Sequence, residues 1–184
     1  MAACLLSTTL YPGSGKIVPP AHFVPRDFMN TILGSLVSEA QITTDLRATN
    51  RWEAIDELIT NLVATGQVKP EDRDAIIGAV RKREMSMSTG IGYGIGVPHA
   101  STELVHKAVA AFGRSKQKIS FDSLDGQPVS LVLLFLVPQG QFQKHLHTMS
   151  EIAKFLRNAD IRQALEQAAD AVAILKIFRG HSSS

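Results

Sequence analysis

Val129-Ser130-Leu131-Val132-Leu133-Leu134-Phe135-Leu136-Val137 carries one hydroxyl and no charge. A stretch this apolar and this short reads as a strand buried on both faces, at the centre of a sheet. The turn residues Ser123-Leu124-Asp125-Gly126 precede it, and Pro128 keeps the entry extended. Working outward, Val105 to Phe112 is strand-like, and Ile42, Thr44 and Leu46 alternate with polar neighbours as a short strand. Elsewhere helical spacing dominates. Asn50 with Glu53 resembles a capping box, and Trp52, Ile55, Leu58, Ile59, Leu62 and Val63 recur at helical intervals until Gly66. Pro70 suits the first turn of a second helix, with a stripe of Ile76, Ile77 and Val80 and an end near Arg83 to Met85. Two further helices, over 145–157 and 161–168, close the chain. Strands interleaved with helices predict the α/β class: a mixed β-sheet flanked by helices on both faces, in a single domain.

The chain's 184 residues suit one domain with a short appendage, since domains run ~100–200 residues. Apolar residues make up 45% and charged residues 20%, the profile of a globular protein. A net charge of +2 gives no support for nucleic-acid binding. One cysteine, Cys4, excludes an internal disulfide framework and a multi-cysteine zinc site, and suits the reducing cytoplasm. No apolar run approaches the ~20 residues needed to span a bilayer, so direct membrane insertion is not expected. Residues 1–27, rich in proline, read as an extended N-terminal arm, 28–179 as the domain, and 180–184 as a disordered tail. The arm has no positive n-region of an export signal. Its Gly13-Ser14-Gly15-Lys16 lacks the first glycine and the following Ser/Thr of a phosphate loop.

The most unusual segment is Gly90-Ile91-Gly92-Tyr93-Gly94-Ile95-Gly96-Val97-Pro98-His99-Ala100. Read as one extended chain, its glycines fall on one face and its aliphatic and aromatic residues on the other, so something can approach the bare side closely. Pro98 should end ladder pairing and leave His99 at the head of a loop. His99 is then either a working titratable group on a rigid scaffold or a loop histidine chosen for turn geometry. On the later helix, the stripe Leu146, Met149, Ile152, Ala153 and Leu156 places His145 at the border of the buried face and His147 in solvent. His145 and His147 cannot chelate one metal from a helix, and no carboxylate or thiolate stands at ligand spacing to complete a site with His99 or His106. His106 reads as a strand-edge surface residue; His22 and His181 lie in the termini. Arg81-Lys82-Arg83 at a helix end complements the helix dipole, with Arg83 able to reach a phosphate if the chain turns back beneath the glycines.

Residues 90–100 resemble the phosphorylation-site signature of the enzyme IIA domains of the mannitol/fructose (type 2) class of the bacterial phosphoenolpyruvate-dependent phosphotransferase system. That class includes stand-alone nitrogen-regulatory IIA proteins. Arg83-Glu84, the turn Phe121 to Gly126 with the strand after it, and His145-Leu146-His147-Thr148-Met149 are similar to further family features, in order, across residues 27–178. The resemblance implies a phosphocarrier of the transferase type. His99 would accept a phosphoryl group from phospho-HPr or its nitrogen-branch relative. Arg83 and His145 would stabilise the phosphate, with backbone N–H groups of Gly94, Gly96 and Ala100 in support, and neither metal nor cofactor is required. Implied partners are an HPr-like phosphocarrier and a IIB subunit or regulatory target proteins. A stand-alone nitrogen-regulatory role is the first expectation; a sugar-specific subunit donating to a IIB cysteine is the alternative. The chain departs from the family at Gly96, where alanine is commoner, and at Ala100, where glycine is.

Overall fold

The computed structural model describes residues 33–180. The arm with Cys4, Gly13 to Lys16 and His22, and the tail from His181, lie outside the described residues. The sheet is built around β6 (Val129–Pro138), which is buried along its whole length. On one side β5 (Val109–Ile119) runs antiparallel to it, with Phe112 opposite Leu133 and Ala110 opposite Phe135. The two-residue β1 (Ile42–Thr43) adds in parallel beyond β5. On its other side β6 receives two short parallel strands in succession. β3 (Ile95–Gly96) lies beside Leu131 and Val132, and β4 (His99–Thr102) beside Phe135 to Pro138. β2 (Gly90–Gly92) then pairs antiparallel with β3.

Helices cover both faces of this mixed sheet. Because side chains alternate along a strand, β6 feeds two cores. Val132, Leu134 and Leu136 join Leu58 and Leu62 of α1 (Arg51–Ala64) and Ile76 and Val80 of α2 (Arg73–Ser86). Leu131, Leu133 and Phe135 join Ile152 and Leu156 of α3 (Phe142–Arg157), Leu165 of α4 (Ala159–Gln167) and Phe178 of α5 (Ala171–Phe178). Each such side chain, fully buried, contributes about 1.5–3 kcal/mol. Helix ends follow local chemistry. The Asn50 side chain accepts from the Trp52 and Glu53 N–H groups and starts α1, but Glu53 turns back to Thr49, one residue short of a reciprocal box. Asn158 and Asp170 cap α4 and α5 in the same way.

Several expectations need correction. The glycine segment is a hairpin, not one extended strand: Gly92, Tyr93 and Gly94 have φ of 86°, 59° and 75°, so the chain reverses between β2 and β3. β5 starts at Val109 instead of Val105 and runs on through Arg114, Ser115 and Lys116. α3 starts three residues early, and its inward stripe passes through Phe142, Met149, Ile152 and Leu156, which leaves Leu146 outside at 42% exposure. α5 is a further helix not expected from the sequence. Its apolar residues, Ala171-Val172-Ala173-Ile174-Leu175, run continuously and show no period.

Candidate functional site

The bare side of the glycine hairpin is covered by the protein's own chain. A Cβ on Gly90 would strike Ser123, one on Gly92 would meet the Asp125 carboxylate, and one on Gly96 would strike the Phe121 ring. The Asp125-Gly126 turn therefore docks on the hairpin, and Asp125 accepts the N–H groups of Tyr93 and Gln127 at 2.8 and 3.1 Å. Those bonds hold its carboxyl below the ordinary carboxylate range.

Seated on this base, β3 leads through Val97 and Pro98 into β4. His99 is the first residue of β4, not the head of a loop, and is 9% exposed. Pro98 lacks an N–H, yet its carbonyl accepts the Phe135 N–H at 3.0 Å, so parallel pairing with β6 resumes at once. The His99 ring is held at both nitrogens. Nδ1 lies 2.9 Å from the Val97 carbonyl oxygen, which can only accept, so Nδ1 carries the proton. Nε2 then has a free lone pair, and Arg83 Nε–H donates to it at 3.2 Å. Burial pushes the imidazole pKa below its usual 6.5, and the Arg83 charge adds to this against the Val97 bond and Glu84. The ring is a neutral base near pH 7.

Arg83 sits in the last turn of α2 and also donates from Nη1 to the Met87 carbonyl at 2.9 Å, so the chain does turn back beneath it. The ring of Phe142, in the first turn of α3, stacks near the His99 ring at 6.1 Å and 20°. Three residues on, half-buried His145 stands edge-on to Phe135, the β6 register partner of His99, at 6.1 Å. Burial, then the Lys144 charge, lowers its pKa from the usual 6.5. Arg83 and His99 are thus in direct contact, while His145 is one aromatic ring removed. Among the described residues no hydrogen bond links His145 to either of them.

The remaining candidates fall elsewhere. Gly94 is in the hairpin turn, its carbonyl accepting from the Ser130 and Leu131 N–H groups. Gly96 is paired between Gly90 and Val132, and Ala100 packs into the core beneath α1 and α2. His106 is an exposed loop residue rather than a strand edge, and His147 is exposed on α3. Among the described residues no three His, Cys, Asp or Glu side chains converge on a metal-sized site. None of the described helices is long and apolar enough to cross a membrane. Phe142 lies ahead of the helical stripe that the sequence shows from His145 onward; its signal is the i, i+3 spacing to that histidine.

Comparison with known proteins adds an independent line. The family described as "Phosphoenolpyruvate-dependent sugar phosphotransferase system, EIIA 2" matches residues 35–180. A "PTS system fructose-specific EIIABC component" of Bacillus subtilis is 36% identical over 146 residues, 79% of this chain but 23% of that protein's length. A "Nitrogen regulatory protein" of Bradyrhizobium diazoefficiens is 32% identical over 143 residues, covering 78% of this chain and 92% of the relative. The crystal structure of nitrogen regulatory protein IIA-Ntr from Neisseria meningitidis superposes with a TM-score of 0.73 at 26% identity, over 80% of this chain and 99% of its own.

Proposed function

The chain belongs to the EIIA 2 family of the phosphoenolpyruvate-dependent sugar phosphotransferase system, and from that premise we propose that it is a phosphocarrier in which His99 Nε2 receives a phosphoryl group from a phosphorylated HPr-like protein. The Nε2–P bond forms as the donor's N–P bond breaks, and the proton stays on Nδ1, hydrogen-bonded to the Val97 carbonyl throughout. The observation that carries this reading is the pairing at the ring: a lone pair fixed on Nε2 by Val97, facing the guanidinium of Arg83. Phosphoryl transfer needs little from a protein beyond alignment and charge stabilisation. Arg83 has a planar fork to move from the lone pair onto the phosphoryl oxygens. His145 adds an imidazole donor from the first turns of α3. Gly94 and Gly96 serve through the hairpin that sets the Val97 carbonyl, and Ala100 keeps β4 flush with the core.

For its physiological role we favour the nitrogen-regulatory type, supported by the near full-length match to a nitrogen regulatory protein. A charge of about −2 arriving at His99 would then switch a docking surface. The fructose-specific relative supports the second reading, donation to a IIB cysteine. The test is incubation with phosphoenolpyruvate, enzyme I and HPr. An acid-labile label is expected on the wild type and none on His99→Ala; a label persisting at another residue overturns the assignment. Onward transfer of that label to a purified fructose-type IIB domain separates the two roles.

A further inference from the structure

We propose that Glu84 is a positioning residue for His99: acting through Thr89 and Val97, its carboxylate holds the ring in the tautomer that leaves Nε2 free to react. This rests on His99 being the phosphoryl acceptor. Glu84 is 1% exposed, and a carboxylate buried so completely is costly unless its oxygens are matched. They are matched chiefly by one residue. The Thr89 N–H lies 3.0 and 3.1 Å from the two oxygens, and Thr89 Oγ1–H donates at 2.6 Å. The nearest cation, Arg51 Nη1, stands 4.0 Å away and is drawn more closely to Asp122 at 2.9 Å.

Thr89 passes the constraint on. Its carbonyl accepts the Val97 N–H at 3.0 Å, and the Val97 carbonyl accepts His99 Nδ1–H at 2.9 Å. Three hydrogen-bonded links thus join a buried carboxylate to the reactive imidazole. Glu84 also adjoins Arg83 in the chain and ties down the 87–89 segment, whose Met87 carbonyl receives Arg83 Nη1. Both groups that discriminate between tautomers are therefore referred to Glu84. The other tautomer would turn Nε2–H against the Arg83 N–H and the Nδ1 lone pair against the Val97 oxygen, two repulsive contacts at once. A carboxylate that only closed the α2–β2 loop would stabilise the fold without biasing the ring.

The experiment reads the His99 ring directly, by nitrogen-15 NMR of the unphosphorylated protein at a pH where the imidazole is neutral. The wild type should show a protonated Nδ1 and an unprotonated Nε2. Glu84→Gln turns an amide donor toward the Thr89 donors and should move both shifts toward an average. The rate of phosphorylation should fall on the order of ten- to a hundredfold, as for other partners that orient a ring nitrogen from outside, with the KM for the donor unchanged. Thr89→Ser, which keeps both donors, should retain the wild-type ring shifts. A folded Glu84→Gln with wild-type shifts and rate overturns the proposal. If Glu84→Gln does not fold, Glu84→Asp, which keeps the charge and shortens the reach, is judged by the same outcomes. The ring shifts need no phosphoryl donor. A wild-type protein that refuses the label on His99 would therefore refute the acceptor role separately.

Discussion

The ring of Phe121 stands where a side chain on Gly96 would begin: a Cβ there would lie 2.8 Å from Cζ and 3.0 and 3.1 Å from the two adjoining ring carbons. Phe121 is buried and cannot swing clear. Gly96 therefore leaves the Phe121 ring the space that a methyl group would take, and the two positions are sterically coupled. Gly96→Ala should destabilise the fold by about 1–3 kcal/mol through overpacking. Phe121→Leu in the same chain should recover most of that loss. Urea unfolding of the single and double variants measures the coupling, and strictly additive effects would contradict it.

Arg83→Ala should act on the ring in two ways. Removing the neighbouring cation lets the His99 pKa rise, which an NMR titration of the ring would follow. If Arg83 stabilises the phosphoryl group as proposed, its removal should slow labelling by about 10²–10³-fold. Lysine supplies the charge without the planar fork, so Arg83→Lys should restore the titration more fully than the rate. A rate unchanged in Arg83→Ala would take the arginine out of the chemistry.

Burial holds the folded His99 below the 6.5 of an unhindered histidine. Under acid conditions the unfolded chain takes up a proton that the folded ring resists. Its contribution to stability is therefore complete above about pH 6.5 and is lost as pH falls from there through the lower folded value. His145 is shifted in the same direction and adds to the same limb. His99→Gln should make stability less sensitive to pH just below 6.5, measured by urea unfolding across that range. Labelling of the wild type should persist at pH 6, where an ordinary histidine is already largely protonated.

Arg114 is buried in β5, and its guanidinium donates to the carbonyls of Leu165, Glu166 and Ala168 at the end of α4 and to that of Thr44. Among the described residues it meets no carboxylate within ion-pair distance. One side chain thus closes the C-terminal end of a helix and ties it to the sheet. Arg114→Met fills the volume but leaves those carbonyls unmatched, and should cost about 2–4 kcal/mol. A loss below about 1 kcal/mol would show that water serves the carbonyls as well.

These contrasts show what kind of information the sequence carries openly. The central strand was legible because seven apolar residues in a row, Leu131 to Val137, admit few environments. The start of α1 was legible because Asn50 offers its side chain to its own backbone, a local act. Arg83 and His99 could be paired through the family resemblance, and the helical stripe placed His145 at the buried border. The hairpin was not legible. Alternating glycines imitate the period of a strand, and only the left-handed backbone at 92–94 reveals the reversal. The second half of β5 was hidden by Arg114, Ser115 and Lys116, because burial of an arginine depends on helix-end carbonyls more than fifty residues away in the chain. Strand pairing after Pro98 was hidden because a residue without an N–H still has a carbonyl to give.

The hydrogen bond from Arg83 to His99 Nε2 has one more implication, for which reagents the histidine ignores. A visitor wanting the electron pair must first persuade the guanidinium to let go. An anionic phosphoryl group would give it oxygens to grip instead. An uncharged acyl group has little to offer, and a metal cation would meet repulsion. On the proposed role of His99, the resting ring would thereby be quiet toward most electrophiles in its surroundings and awake to one kind.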